Sequence, residues 1–154
     1  MKLVHWSDRP VGPLVNVSQP PAEENWRMKP VGLWLSDESD YGWKQWCEDE
    51  NFNVGGHVVQ TEFNVDMKDV LHLSTPEQID SFTDEYGVER APYHDRMINW
   101  HAVAQTYKGI LITPYCHARR LEHMWYYGWD CASGCFWDTS CLELIKNSHE
   151  LLEA

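Results

Sequence analysis

Eight histidines and five cysteines among 154 residues make metal ligation the first chemistry to weigh. Their spacing argues against it. Cys131-x-x-x-Cys135 has no second close pair, His117 and His123 lie on no evident helical pair, and no His-Glu-x-x-His occurs. On a strand the two cysteines would share one face and read as buried free thiols. A cysteine nucleophile needs a thiolate-favouring neighbour, and Cys116-His117 is the sole adjacent Cys/His pair. Neighbours on a strand point to opposite faces, so a buried structural cysteine is the plainer expectation there. No carboxylate pair has a spacing dedicated to glycosidase or nuclease chemistry.

The pattern that carries more is the order of two strands and the polar segment after the second. Leu3-Val4-His5-Trp6-Ser7 is a short strand ending in an aromatic and a hydroxyl. Gly32-Leu33-Trp34-Leu35-Ser36-Asp37-Glu38 is a second, followed by a helix carrying Trp43. Together these resemble the first two nicotinamide-dinucleotide motifs of the ADP-ribosyltransferases, and the resemblance extends over three short stretches spread along most of the chain. It implies NAD as the substrate and ADP-ribose as the group moved. His5, Trp6 and Ser7 would then line the nicotinamide end, Gly32 and Leu33 would belong to the second motif, and Trp34, Tyr41 or Trp43 would supply the stacking platform. Ser36 would be the hydroxyl that orients the catalytic carboxylate.

The third stretch departs from the family. The best match, Ala132-Ser133-Gly134-Cys135-Phe136-Trp137-Asp138, puts Ser133 where the family has its catalytic Glu. A neutral hydroxyl cannot offer the fixed negative charge that an oxocarbenium-like transition state requires. Either Asp130 or Asp138 acts from a shifted position, or the domain is a binding module that holds a nucleotide or blocks a basic partner without transferring anything.

The elements that must position these residues are read from periodicity and caps. After the first strand comes a proline-rich segment from Pro10 to Pro30, long enough for a loop that folds over a site. Ser36 to Asp40 offers several helix caps, with Trp43, Trp46 and Cys47 as the inner stripe of the helix that follows. Residues 57–65 alternate as a strand, and Val70 to Leu73 form another. Thr75-Pro76-Glu77-Gln78 has capping-box spacing, with Ile79, Phe82 and Tyr86 facing in and Gly87 as the stop. Asn99 caps a helix bearing Trp100, Val103, Ala104 and Tyr107 that Gly109 ends, and Ile110-Leu111-Ile112-Thr113 reads as a central strand. Ser140 and Glu143 suggest a closing helix. The expected fold is α+β, a split mixed or antiparallel sheet core with peripheral helices: a single ADP-ribosyltransferase-like domain over residues 1–154, with two small packed sheets and the cleft between them.

Composition sets the outer bounds. A length of 154 residues suits one domain with its own core. A net charge of −12 disfavours broad nucleic-acid binding, since Lys and Arg must neutralise phosphates; Arg119-Arg120 is the one basic island. The odd cysteine count and an N-terminus without signal-peptide character suggest reduced thiols and a cytoplasmic protein. No apolar run approaches the roughly 20 residues of a membrane span. Nine tryptophans exceed what a core alone needs, so some are expected to line a ligand cleft.

Overall fold

A computed structural model describes residues 1–21, 28–52, 57–90 and 95–151. Strands β1 (Lys2–Ser7), β2 (Leu33–Ser36), β3 (His57–Val65), β4 (Val70–Leu73), β7 (Gly109–Ile112), β8 (Ser133–Phe136) and β9 (Leu142–Leu151) form one seven-stranded sheet in the order β4-β7-β8-β2-β1-β3-β9. Only β4 and β7 run parallel; every other pairing in it is antiparallel. Strands β5 (Gly87–Arg90) and β6 (Asp95–Ile98) pair as a separate two-stranded ribbon. Helices α1 (Trp43–Asp49), α2 (Pro76–Tyr86), α3 (Trp100–Ala104) and α4 (Met124–Tyr127) complete the chain. The fold is therefore mixed α+β with a mostly antiparallel sheet and few helices.

The two packed sheets expected from sequence are one hydrogen-bonded sheet with a seam. Strand β1 meets β2 at a single register pair, Val4↔Ser36, whereas it meets β3 at six.

Period-two alternation on β7 shows how the sheet is buried on both faces. Ile110 and Ile112 join one cluster with Phe82, Trp100, Val103, Trp125, Tyr126 and Trp129, while Leu111 joins Leu3, Leu35, Phe63 and Phe136 on the other side. The first cluster is unusually aromatic. Trp100, Trp125 and Trp129 are almost wholly buried, and their rings meet at centroid distances of 5.7–6.1 Å. Each such side chain removes about 150–250 Å² from water, so a few of them build a core with little need of long helices.

Thr75 caps α2 with the reciprocal capping box completed by Gln78, and the Asn99 side chain accepts from Ala102 N at the start of α3. Helix α3 ends at Ala104, earlier than Gly109 suggested. Lys108 is already committed to neighbouring strand ends: its N–H donates to Asp69 O, and its carbonyl accepts from Trp137 N and Asp138 N. Gly109 opens β7 instead.

The expected closing helix is strand β9, which pairs with β3 from Val65↔Leu142 to His57↔Leu151. Ser140 sits in a short 3-10 turn, Thr139–Cys141, whose cap is Asp138. Pairing along the whole length of β3 overrides the helical cap signal at Ser140 and Glu143.

Candidate functional site

A cleft of about 330 Å³ opens beside the β1–β2 seam, lined by Val4, His5 and Trp6 of β1, by Trp34, Leu35 and Ser36 of β2, and by Trp43 at the start of α1. Lys29, Trp129, Asp130, Cys131 and Ser133 complete it. These residues come from both ends of the chain, brought together because β2 lies between β1 and β8 in the sheet. Ser36 stands opposite Ser133 across the β2–β8 ladder and opposite Val4 across the seam.

At the seam a side chain replaces missing ladder bonds. His5 Nδ1 lies 2.7 Å from Trp34 O. A carbonyl only accepts, so Nδ1 carries the proton, and in the neutral ring Nε2 is left as the acceptor. Trp34 packs edge-on against buried Trp129 at 4.8 Å, with the Lys29 ammonium 5.3 Å from its ring centroid. That cation–π contact puts the cleft's one lysine over an aromatic wall.

Ser36 is buried and has two partners. Its Oγ accepts from Trp43 N at 2.8 Å and donates to Glu38 Oε2 at 3.2 Å. Glu38 Oε1 also accepts from Trp6 Nε1 at 2.7 Å and from Lys44 N at 3.1 Å. Helix α1, whose N-cap is Gly42, is thus capped by side chains from the end of β2, not by its own cap residue. Burial pushes the Glu38 carboxyl up, against the lowering effect of these hydrogen bonds.

Of the residues singled out from sequence, His5, Trp6, Trp34, Ser36, Trp43, Asp130 and Ser133 line this cleft and the others lie elsewhere. Ser7 ends β1 and donates its hydroxyl to Arg9 O. Gly32 is where β2 comes up against β8, since an added Cβ would meet Phe136 O at 2.6 Å; Leu33 packs with the second core cluster. Tyr41 donates to Asp49 Oδ2 at 2.9 Å, and burial together with that carboxylate pushes its hydroxyl up to about 12. Asp138 lies past the far end of β8 from Ser133, where its Oδ1 accepts from Ser140 N at 3.0 Å. Those bonds hold its carboxyl below the usual range. Asp130 makes no hydrogen bond or ion pair to the other described residues, whereas the Ser133 hydroxyl donates to Cys131 O at 3.0 Å.

Sequence reasoning missed the part played by Lys29, which lines the cleft, and by Glu38, which lies behind its walls and bonds to Trp6 and Ser36. Glu38 was legible as the last residue of the second motif and as a potential helix cap but with no role of its own, and Lys29 lay at the end of a loop without periodicity. The described part of that loop runs beside β8, with Val17 N donating to Trp137 O and the Gln19 side chain bridging both polar groups of Val31; residues 22–27 lie outside the described set.

Thiol chemistry finds no support in the geometry. Cys131 reaches the cleft, but burial pushes its thiol up to about 12, and Cys47 is pushed to about 11. Cys116 donates its backbone N–H to the Tyr126 hydroxyl, and its neighbour His117 packs edge-on against Tyr115 at 4.6 Å. No group of three or more His, Cys, Asp or Glu among the described residues has metal-ligand geometry. No described helix is long and apolar enough to cross a membrane.

The chain matches no protein-family model, no curated protein and no solved structure.

Proposed function

We propose that the cleft binds NAD and that the protein is an ADP-ribosyltransferase-like enzyme passing ADP-ribose to an acceptor. The observation that carries this is the convergence of His5, Trp34, Ser36, Trp43 and Asp130, far apart in sequence, on one aromatic cleft at the sheet's seam. A volume of about 330 Å³ is at the small end for ligand pockets and suits a nicotinamide ring with its ribose, the rest of the dinucleotide extending past the rim. Tryptophan walls suit a flat ring, and Lys29 is a cation for the diphosphate.

In the proposed reaction the bond between ribose C1′ and the nicotinamide nitrogen breaks and its electron pair leaves with nicotinamide. The acceptor's lone pair forms the new bond to C1′, and the acceptor's proton passes to a carboxylate or to water. Positive charge builds on the ribose in between, and a fixed carboxylate stabilises it. Asp130 is the candidate because it lines the cleft while Asp138 is turned to a cap outside it; no bond to the other described residues fixes Asp130, and the Ser36 hydroxyl expected to orient the carboxylate donates to Glu38 instead.

One observation favours a second reading, a module that binds without transfer. Ser133, which the motif match sets against the family's Glu, has its hydroxyl already engaged by the Cys131 carbonyl. The experiment begins with thermal unfolding in the presence of NAD, where protection is expected. Labelled NAD with candidate acceptors then separates the two: transfer lost in Ser36→Ala and Asp130→Asn means enzyme, and saturable binding without transfer means module. Absence of any protection by NAD overturns the enzyme reading and the nucleotide-holding module, and leaves of the second reading only a module that blocks a basic partner.

A further inference from the structure

Glu38 connects three elements at the one place where the sheet is open. It follows β2, its Oε1 accepts from the indole N–H of Trp6 on β1, and the same oxygen accepts from Lys44 N in the first turn of α1. Its Oε2 accepts from Ser36, whose oxygen in turn holds Trp43 N. Trp6 and Trp43 are two of the aromatic walls of the cleft, and β1 and β2 are otherwise joined by a single register pair and the His5 bond to Trp34 O. Gly42 is part of the arrangement, because a Cβ there would overlap the Glu38 carboxylate.

We propose that Glu38 is a positioning residue of the cleft: by holding the Trp6 indole and the first amides of α1 at once, it sets the placement of Trp6 and Trp43 between which a flat aromatic ring enters. The assignment rests on the NAD reading for the identity of the ring, but the anchoring of Trp6 is independent of any ligand.

Bonds to an ionised acceptor are about twice as strong as neutral ones, so the ionised form holds both walls most firmly. That form is present against a solvation penalty. A carboxyl raised by burial favours the folded state when protonated, and this contribution is lost as pH rises through the folded value. Among the described residues, the titratable groups that act on it or respond to it are Lys44 and Cys47 from α1 and Cys131 from the β8 side; Lys44 is the cation, and the two buried thiols are neutral. A carboxylate kept where stability alone disfavours its charge is what a ligand site requires.

The test has one arm without ligand and one with NAD. In the free protein, tryptophan fluorescence is followed as pH falls from neutrality, in wild type, Glu38→Gln and Trp6→Phe, with circular dichroism confirming that each is folded. Removing a charge bonded to an indole changes its emission, so wild type is expected to show a transition above the ordinary carboxylate range that both variants lack. The same transition in Glu38→Gln overturns the proposal.

In the second arm NAD affinity is measured at neutral pH. Glu38→Gln and Trp6→Phe are each expected to weaken it about tenfold or more, and the double variant by little more than either, because the two act through one bond. Equal affinity in wild type and Glu38→Gln overturns the positioning role. If NAD binds none of the proteins, the NAD reading falls and the fluorescence arm alone decides the anchoring.

Discussion

The two aspartates considered for the carboxylate role differ only in where the chain turns. Asp130 precedes β8 at the end that meets Ser36, and Asp138 follows β8 at the other end, where it caps a 3-10 turn. Asp130→Asn is expected to leave NAD protection intact and to abolish transfer. Asp138→Asn should leave both unchanged and lower stability by about 1 kcal/mol or less, the usual scale for a weakened cap, as read from the denaturation midpoint. Loss of transfer in Asp138→Asn with retention in Asp130→Asn would reverse the assignment. The tryptophans divide in the same way. Trp100 is 1 % exposed and makes ring contacts only in the core, so Trp100→Ala should cost roughly 3–5 kcal/mol of stability. Trp43 is half-buried, stacked on Trp46 at 4.8 Å and facing the cleft. Replacing it with Leu should weaken NAD binding more than it lowers stability, and the opposite ranking would return it to the core. Sequence spacing had put Trp46 in the core and Trp43 in the site, but the two share one surface cluster with Phe52.

Elements whose signals were local are the ones that sequence revealed. Thr75, Pro76 and Gln78 specify the start of α2 within four residues, and the structure has that start with both capping bonds. Thr75→Ala should therefore cost about 1 kcal/mol, measured as a lower urea midpoint with an unchanged slope, and should leave NAD protection as in wild type because α2 lines no part of the cleft. An equal loss of binding would mean that α2 and the cleft are coupled. The alternation from His57 to Val65 and the apolar run Ile110 to Ile112 were legible for the same reason. Strand β9 was not: residues 142–151 carry a helical cap signal and little alternation, and only their pairing with β3 makes them a strand. The β5–β6 ribbon was likewise hidden, since short strands rich in charge show no apolar period. The site was legible as two motifs, β1 and β2. Their meeting point was not, because Glu38 earns its role from Trp6, 32 positions away.

At the scale of the whole molecule, the carboxylates pull the pH dependence of stability in opposite directions. Asp80 accepts from Arg119 Nε at 2.9 Å and lies 2.7 Å from His123 Nε2, and these partners hold its carboxyl below the usual range. Asp138 is lowered by its cap bonds. For both, the contribution to stability is present above the unfolded carboxylate value and is lost as pH falls through the lower folded value. Glu38 has the opposite sign: its contribution is present in acid and lost as pH rises through the raised folded value. The net charge of −12 adds to this second trend, because protonation on the way down from neutrality relieves self-repulsion. Melting temperature should therefore rise modestly from neutrality toward the top of the carboxylate range, and fall steeply only below it, as Asp80 and Asp138 take up protons. In Glu38→Gln the part of the rise due to Glu38 disappears while the acid fall remains. Added salt should flatten the part due to net charge and leave the Glu38 part, which comes from burial of the carboxyl and is not screened over a Debye length of about 8–10 Å. A steady decline from neutrality downward, or the same profile in wild type and Glu38→Gln, would show that the carboxylate under Trp6 is not held against its own hydration.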